Sequence, residues 1–275
     1  MASPVLSLLH RPALTRPADE FVLATVMLFL AVTIVRWVRD PGSPLHIADL
    51  DAALAVIGVL SGAILTGLIL TPLGRRSGGH MNPAVTVSLW LMGAFPGPSV
   101  VPYVLAQLAG SATGTVLARA AWGHTVSVSS VDYAAIAPAP DWSPPAVFLA
   151  EAGSMAAIIV AVGFVARPRS ARFLPYLIGS AVALVIALLG PRSGGSINPA
   201  RQFGPAAMAG QGTDLWIYLV APILGAVLGA CFHHCLARLR SRAQRAQAVA
   251  SAIPEGFRSV GTLPHTDRKV RHNAG

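Results

Sequence analysis

Charge is scarce in this 275-residue chain: 11% of its residues are Asp, Glu, Lys or Arg, where a soluble domain carries about 25%. That scarcity, beside 54% hydrophobic residues, argues against a soluble enzyme. Cysteine is nearly missing, and Cys231 and Cys235 sit four apart inside one apolar run. They supply no disulfide framework or zinc-ligand set, and the adjacent His233 and His234 find no second ligand pair of usable spacing. The two cysteines read as small apolar packers, and neither a metal nor a cofactor is expected. Acidic residues number 11 against 20 basic ones, a formal charge of +9 that in a soluble protein would suggest nucleic acid. Here the basic residues lie between or beyond long apolar runs, and the basic stretch after Arg238 has no interleaved aromatic apart from Phe257. No nucleic-acid partner is expected.

What the chain does have is apolar length. Six stretches, roughly 20–36, 52–73, 101–119, 146–166, 173–191 and 216–237, are long enough to cross a bilayer. The second, as a helix, spans about 33 Å against a hydrocarbon core of about 30 Å. The first begins at Asp19-Glu20 and shows no small-residue cleavage site before Arg36, so the N-terminus is expected to be retained. Of the 20 basic residues, 15 fall in the N-terminal tail, the second and fourth connections and the C-terminal tail. Positive charge collects on the cytoplasmic side, which places both termini there. A single lysine amid abundant Ala, Gly and Arg fits a high-GC bacterial genome, and the expected location is the cell's inner (plasma) membrane. The expected layout is a cytoplasmic tail 1–18, a repeat 19–122, an extracellular loop 123–143 draped over the outer face, a repeat 144–238, and a basic, mostly disordered cytoplasmic tail 239–275.

The chain also resembles itself. Ser77-Gly78-Gly79-His80-Met81-Asn82-Pro83-Ala84 and Ser193-Gly194-Gly195-Ser196-Ile197-Asn198-Pro199-Ala200 agree at six of eight positions, and two of only three asparagines occupy the same place in both copies. Glu20 and Glu151 stand early in the first and fourth spans. Three spans per half force the second half to enter the membrane from the opposite side, giving inverted repeats. After each Asn-Pro-Ala comes an apolar stretch too short to span, near 82–93 and 198–209. Asn is a good N-cap and Pro suits the first turn, so these read as re-entrant half-helices.

These residues resemble the aquaporin, or major intrinsic protein, family, with Arg201 and Phe203-Gly204-Pro205 after the second box, Gln107 and Pro222 as further matches. Thr25, one place late after Glu20, and Met155, where the family has Thr, depart from its pattern in the buried support and not in the pore. The resemblance implies an all-α integral membrane fold of six transmembrane helices and two half-helices meeting N-terminus to N-terminus. It further implies a homotetramer in lipid, and a passive channel rather than an enzyme. Asn82 and Asn198 would donate to a passing solute, and two helix dipoles would repel cations. Arg201 would stand at the outer constriction. Glu20 and Glu151 would accept from loop N–H groups, the rival reading being a proton relay in a coupled transporter. Gly78, Gly79 and Gly194 belong to the pore-lining loops; His80 braces its loop or lines the pore.

The family's offsets put the outer filter at Gly62, Ile186, Gly195 and Arg201. Gly62 also pairs with Gly58 in a small-xxx-small pattern that serves helix packing, and a slip of one residue brings Ser61 or Ala63 there. The set lacks the aromatic and histidine of strict water channels. It looks most like the wide branch related to nodulin-26-like channels, as does the run Gly190-Pro191-Arg192-Ser193-Gly194. Water, glycerol, urea, and boric, silicic or arsenous acid are the expected solutes, with a strict water channel as the alternative.

Overall fold

The structure, a computed structural model, describes residues 16–252. Helices α1 (Pro17–Arg39) and α2 (Leu50–Leu70) are followed by two short ones, α3 (Pro72–Ser77) and α4 (Pro83–Leu91), and by the long α5 (Val100–Trp122). The second half repeats the plan with α6 (Pro144–Val165), α7 (Leu174–Leu189), the short α8 (Pro199–Ala209) and the long α9 (Leu215–Ala252). Six of these helices are long and apolar enough to cross a membrane.

Local chemistry sets the boundaries. Asp49 caps α2 by accepting from Ala52 N at 2.8 Å. Pro72, lacking an N–H, ends α2 at Leu70, so the span expected over 52–73 breaks into two helices. Thr71 caps the second of them through Gly74 N at 3.1 Å. Pro17 starts α1 two residues before the predicted end of the N-terminal tail, whose residues 1–15 lie outside the described range.

Glycines set the helix spacing. Gly110 and Gly114 on α5 lie against Phe21 O and Thr25 O of α1, while Gly225 and Gly229 on α9 lie against Ala152 O and Ala156 O of α6. A side chain at any of these would meet backbone oxygen, so the small-residue pairs act within one subunit. Large apolar residues point outward instead: Leu149 is 70% exposed and Val59 65%. In lipid an apolar side chain needs no interior, and this corrects the reading of the cysteines. Cys231 and Cys235 are both exposed and lie outside the subunit's interior.

Two further expectations change. The chain divides at His233 and His234 into two compact units, and α9 stays helical to Ala252. The tail expected to be disordered from 239 is therefore helix as far as described, its Arg-rich turns being good helix formers. Residues 253–275 lie outside the described range. The 123–143 connection is not merely draped over a face. Val126, Val131 and Ala134 are buried in it, and it reaches the site described next.

Candidate functional site

Each half-helix is entered through a Ser-Gly-Gly turn of the same shape. Gly78 and Gly79 take φ of 98° and 61°, and Gly194 and Gly195 take 92° and 62°, left-handed values that side chains disfavour. Met81 and Ile197 then sit at 47° and 45° without being glycine, so both loops need outside support. Glu20 supplies it in the first half. Its Oε1 accepts from the Ser77 hydroxyl at 2.7 Å and His80 N at 2.9 Å, and its Oε2 from Met81 N at 2.7 Å and Gln107 Nε2 at 2.8 Å. Glu151 does the same in the second half, accepting from the Ser193 hydroxyl at 2.9 Å, Ser196 N at 3.1 Å and Ile197 N at 2.6 Å. Both carboxylates are fully buried.

Asn82 and Asn198 cap α4 and α8 and join them. Asn82 Oδ1 accepts from Ala84 N at 2.9 Å while its Nδ2 donates to Ile197 O at 3.0 Å. Asn198 mirrors this with Ala200 N at 2.9 Å and Met81 O at 3.0 Å. Each amide nitrogen carries two protons, so one remains free on each side chain. Pro83, Ala84, Pro199 and Ala200 are buried in the first turns. They shape the caps and stay off the cavity wall.

Both asparagines face a cavity of about 610 Å³. One wall is apolar, with Met155, Ile158, Ile178, Val182, Leu65 and Ile186. Its polar groups include Ser61, His80, Ser196, the two asparagines and Arg201, with Gly194 and Gly195 beside them, and Arg39, Ser129, Ser130, Asp132 and Gln211 also border it. Three expectations are corrected here. Gly62 is absent from the wall; a Cβ there would overlap Gly179 O and press on Ala183 Cβ at 3.0 Å, so this glycine makes the α2–α7 crossing and Ser61 lines the cavity. Gly78 and Gly79 are also off the wall, turned toward the His80 ring and Ile69. Met155, placed by sequence in the buried support, lines the cavity.

Arg201 projects from the first turn of α8, and its Nη1 donates to Ala134 O at 2.8 Å. The ion pair Arg76–Asp19, at 3.0 Å, lies in the first half, and no carboxylate is in ion-pair contact with Arg201 among the described residues. The 123–143 connection carries Ala134 to it through three successive left-handed residues, Asp132, Tyr133 and Ala134, with φ of 42°, 55° and 60°. Gln202 pins the next turn by accepting from Ile136 N at 2.9 Å and donating to Ile136 O at 2.7 Å, and Gln211 Nε2 donates to Asp132 Oδ2. Sequence reading missed this loop contact, for Ala134 donates only a backbone atom and carries no motif. It also missed Tyr103 and Tyr218, whose hydroxyls donate to Ser77 O at 3.0 Å and Ser193 O at 2.6 Å. Those tyrosines follow the matched serines by 26 and 25 residues, a signal available by extending the comparison of the two copies.

Known proteins share this design. The pattern of the family described as Major intrinsic protein matches residues 10–233. Aquaporin AqpM of Methanothermobacter marburgensis is 40% identical over 189 residues, covering 66% of this chain and 76% of that protein. Nodulin-26 of Glycine max is 36% identical over 178 residues, 63% of this chain and 62% of that one. The crystal structure of the aquaglyceroporin from Plasmodium falciparum superposes with a TM-score of 0.69 at 20% identity, over 80% of this chain and 95% of that one, which is likeness of fold. Inverted halves, paired half-helices and matching sequence together make this chain a member of the major intrinsic protein family, an integral membrane channel and not an enzyme.

Proposed function

We propose that the chain is a passive channel for water and small uncharged polyhydroxy solutes, such as glycerol, urea, and boric, silicic or arsenous acid, that excludes protons and ions. The observation that carries this reading is the pair of capped half-helices whose asparagine amides each retain a free proton toward the cavity. Two helix N-termini facing one point act as roughly half a positive charge each, and Arg201, which has no carboxylate in ion-pair contact among the described residues, adds to them. A cation meets repulsion at both places, while a neutral oxygen finds donors. A water held by both amides has its lone pairs turned to the protein, so it cannot relay a proton across that point.

The solute class follows from the walls. Ser61, Ile186, Gly195 and Arg201 all border the cavity, and the outer constriction is assigned to them, a set without a large aromatic. Its apolar side suits a carbon or metalloid centre and its donors suit hydroxyl groups, which supports the wide over the strict water-selective form. Both termini lie in the cytoplasm of a plasma membrane on the charge bias, and the family resemblance supports a homotetramer with one pore per subunit. A coupled transporter using Glu20 or Glu151 is disfavoured because both carboxylates are buried away from the cavity and wrapped in donors.

Stopped-flow light scattering on reconstituted vesicles tests the reading: water, glycerol, urea and arsenous acid are expected to cross faster than through bare lipid. Water alone doing so would restore the strict water channel. Replacing Asn198 by Asp, or Asn82 by Asp, exchanges a donor for a negative acceptor at the midpoint. Measurable cation current in planar bilayers is expected from either variant, and none from the wild type. Unchanged ion tightness would remove the account based on dipoles and amides.

A further inference from the structure

We infer that His80 is held as its Nδ1–H tautomer by the hydroxyl of Thr86, and that its Nε2 lone pair is thereby the acceptor a permeating water or hydroxyl meets beside the box amides. The second half of this statement rests on the channel reading above. The ring is 6% exposed and cannot turn freely. It packs edge-on against Phe95, centroids 4.9 Å apart, and against Tyr103 at 5.3 Å.

The proton positions follow from one fixed end. Glu20 takes four donors, so it faces them as an acceptor only, and the Gln107 amide must turn its nitrogen toward it at 2.8 Å. The second Gln107 amide proton then points at Thr86 Oγ1, 3.0 Å away. Thr86, fully buried, has one proton of its own and sits 3.1 Å from both Asn82 O and His80 Nδ1. Donating to Asn82 O leaves its remaining lone pair for an N–H on Nδ1, and all three contacts become hydrogen bonds. Donating to Nδ1 instead leaves the contact with Asn82 O unmade. The arrangement with more bonds places the ring proton on Nδ1.

The consequence lies at the cavity. His80 borders it, and Nε2 has no hydrogen-bond partner among the described residues. Asn82 and Asn198 offer the lumen donors where His80 borders it. A nitrogen lone pair next to them gives a passing water or hydroxyl somewhere to place its proton, so Glu20, Gln107 and Thr86 are positioning residues for a specificity-determining histidine. The neutral histidine side chain in water prefers the opposite tautomer, which makes the expectation a reversal of the intrinsic preference.

Solid-state NMR of the full chain in lipid bilayers, labelled with nitrogen-15 histidine and held at about pH 8 where a neutral ring is populated, reads the tautomer directly. The His80 signals are assigned by their loss in His80→Asn, or by correlation with Gly79 and Met81 should that variant misfold. A protonated-type Nδ1 and an unprotonated-type Nε2 are expected, the form exceeding its rival by about fivefold or more. A majority of Nε2–H would overturn the assignment. Thr86→Val is expected to shift the ring toward Nε2–H, and an unchanged ratio would remove Thr86 from the role given to it. In vesicles, His80→Asn keeps a donor near Thr86 and, being shorter, removes the nitrogen at the Nε2 position beside the cavity, so water flux is expected to fall a few-fold. Undiminished flux would overturn the acceptor role. Wild-type vesicles no leakier than bare lipid would sink the channel reading and the acceptor role together, while the nitrogen shifts would still decide the tautomer.

Discussion

Replacing Ser61 by phenylalanine is expected to slow solutes of glycerol size by roughly tenfold in a protein that still folds, with water slowed far less. The neighbouring Gly62→Phe is expected to yield almost no folded channel. The contrast comes from one step along a helix, which turns a side chain by about 100°. Ser61 faces the cavity across from the apolar wall, where an aromatic ring occupies space otherwise open to solute. Gly62 faces α7, where its Cβ would overlap Gly179 O, and Gly179 in turn lies against Gly62 O. Overpacking a helix crossing by even one carbon costs about 1–3 kcal/mol, and a ring there forces the helices apart. Vesicle flux for Ser61→Phe and the folded yield of both variants by size exclusion are the measurements. A folded, solute-tight Gly62→Phe would return that glycine to the filter.

The second large effect concerns Glu151. Changing it to leucine removes the acceptor for the Ser193 hydroxyl, Ser196 N and Ile197 N, three buried donors. Each such orphan costs about 1–3 kcal/mol, enough in sum to unfold the loop if not the subunit. The loop also holds Ile197 at φ of 45°, so its release removes Ile197 O from Asn82 Nδ2 and uncouples the two half-helices. The expected result is a large drop in thermal stability in detergent together with loss of flux. Glu151→Gln, which keeps one carbonyl acceptor but turns an amide N–H toward donors, should fall between. A fully stable Glu151→Leu that had lost only pH-driven solute accumulation would instead establish a proton relay.

Much of this was legible before any coordinates. The duplicated box identified the half-helices because Asn and Pro perform local jobs: a cap that accepts from the N–H two residues on, and a first-turn residue that needs no donor. The six spans were legible because length in an apolar solvent is a property of the chain alone. Glu20 and Glu151 stood out as charges in spans that have few.

Rotation about a helix axis was not legible in the same way. In lipid both faces of a span are apolar, so periodicity that would mark the inside of a soluble helix is lost. With no such mark to check them against, the family's offsets put Gly62 one residue from the cavity-lining Ser61, Met155 went to the buried support, and the cysteines were read as packers. The contact of Arg201 with Ala134 O was hidden for another, because a backbone carbonyl has no letter in the sequence. Its position depends on three left-handed residues in a connection that reads only as a loop.

What this sequence determined by itself is therefore everything that follows from the local chain: six spans, two capped half-helices, two acidic residues placed alike in the first and fourth spans, and the inversion that an odd number of spans per half imposes. The tertiary structure alone decided which residue of each span meets the solute, and how the long connection reaches Arg201. The physical reason is that caps and hydrophobic length are energies of neighbours in sequence, whereas a cavity wall is chosen by close approach of helices, where one glycine facing one carbonyl outweighs any pattern along the chain.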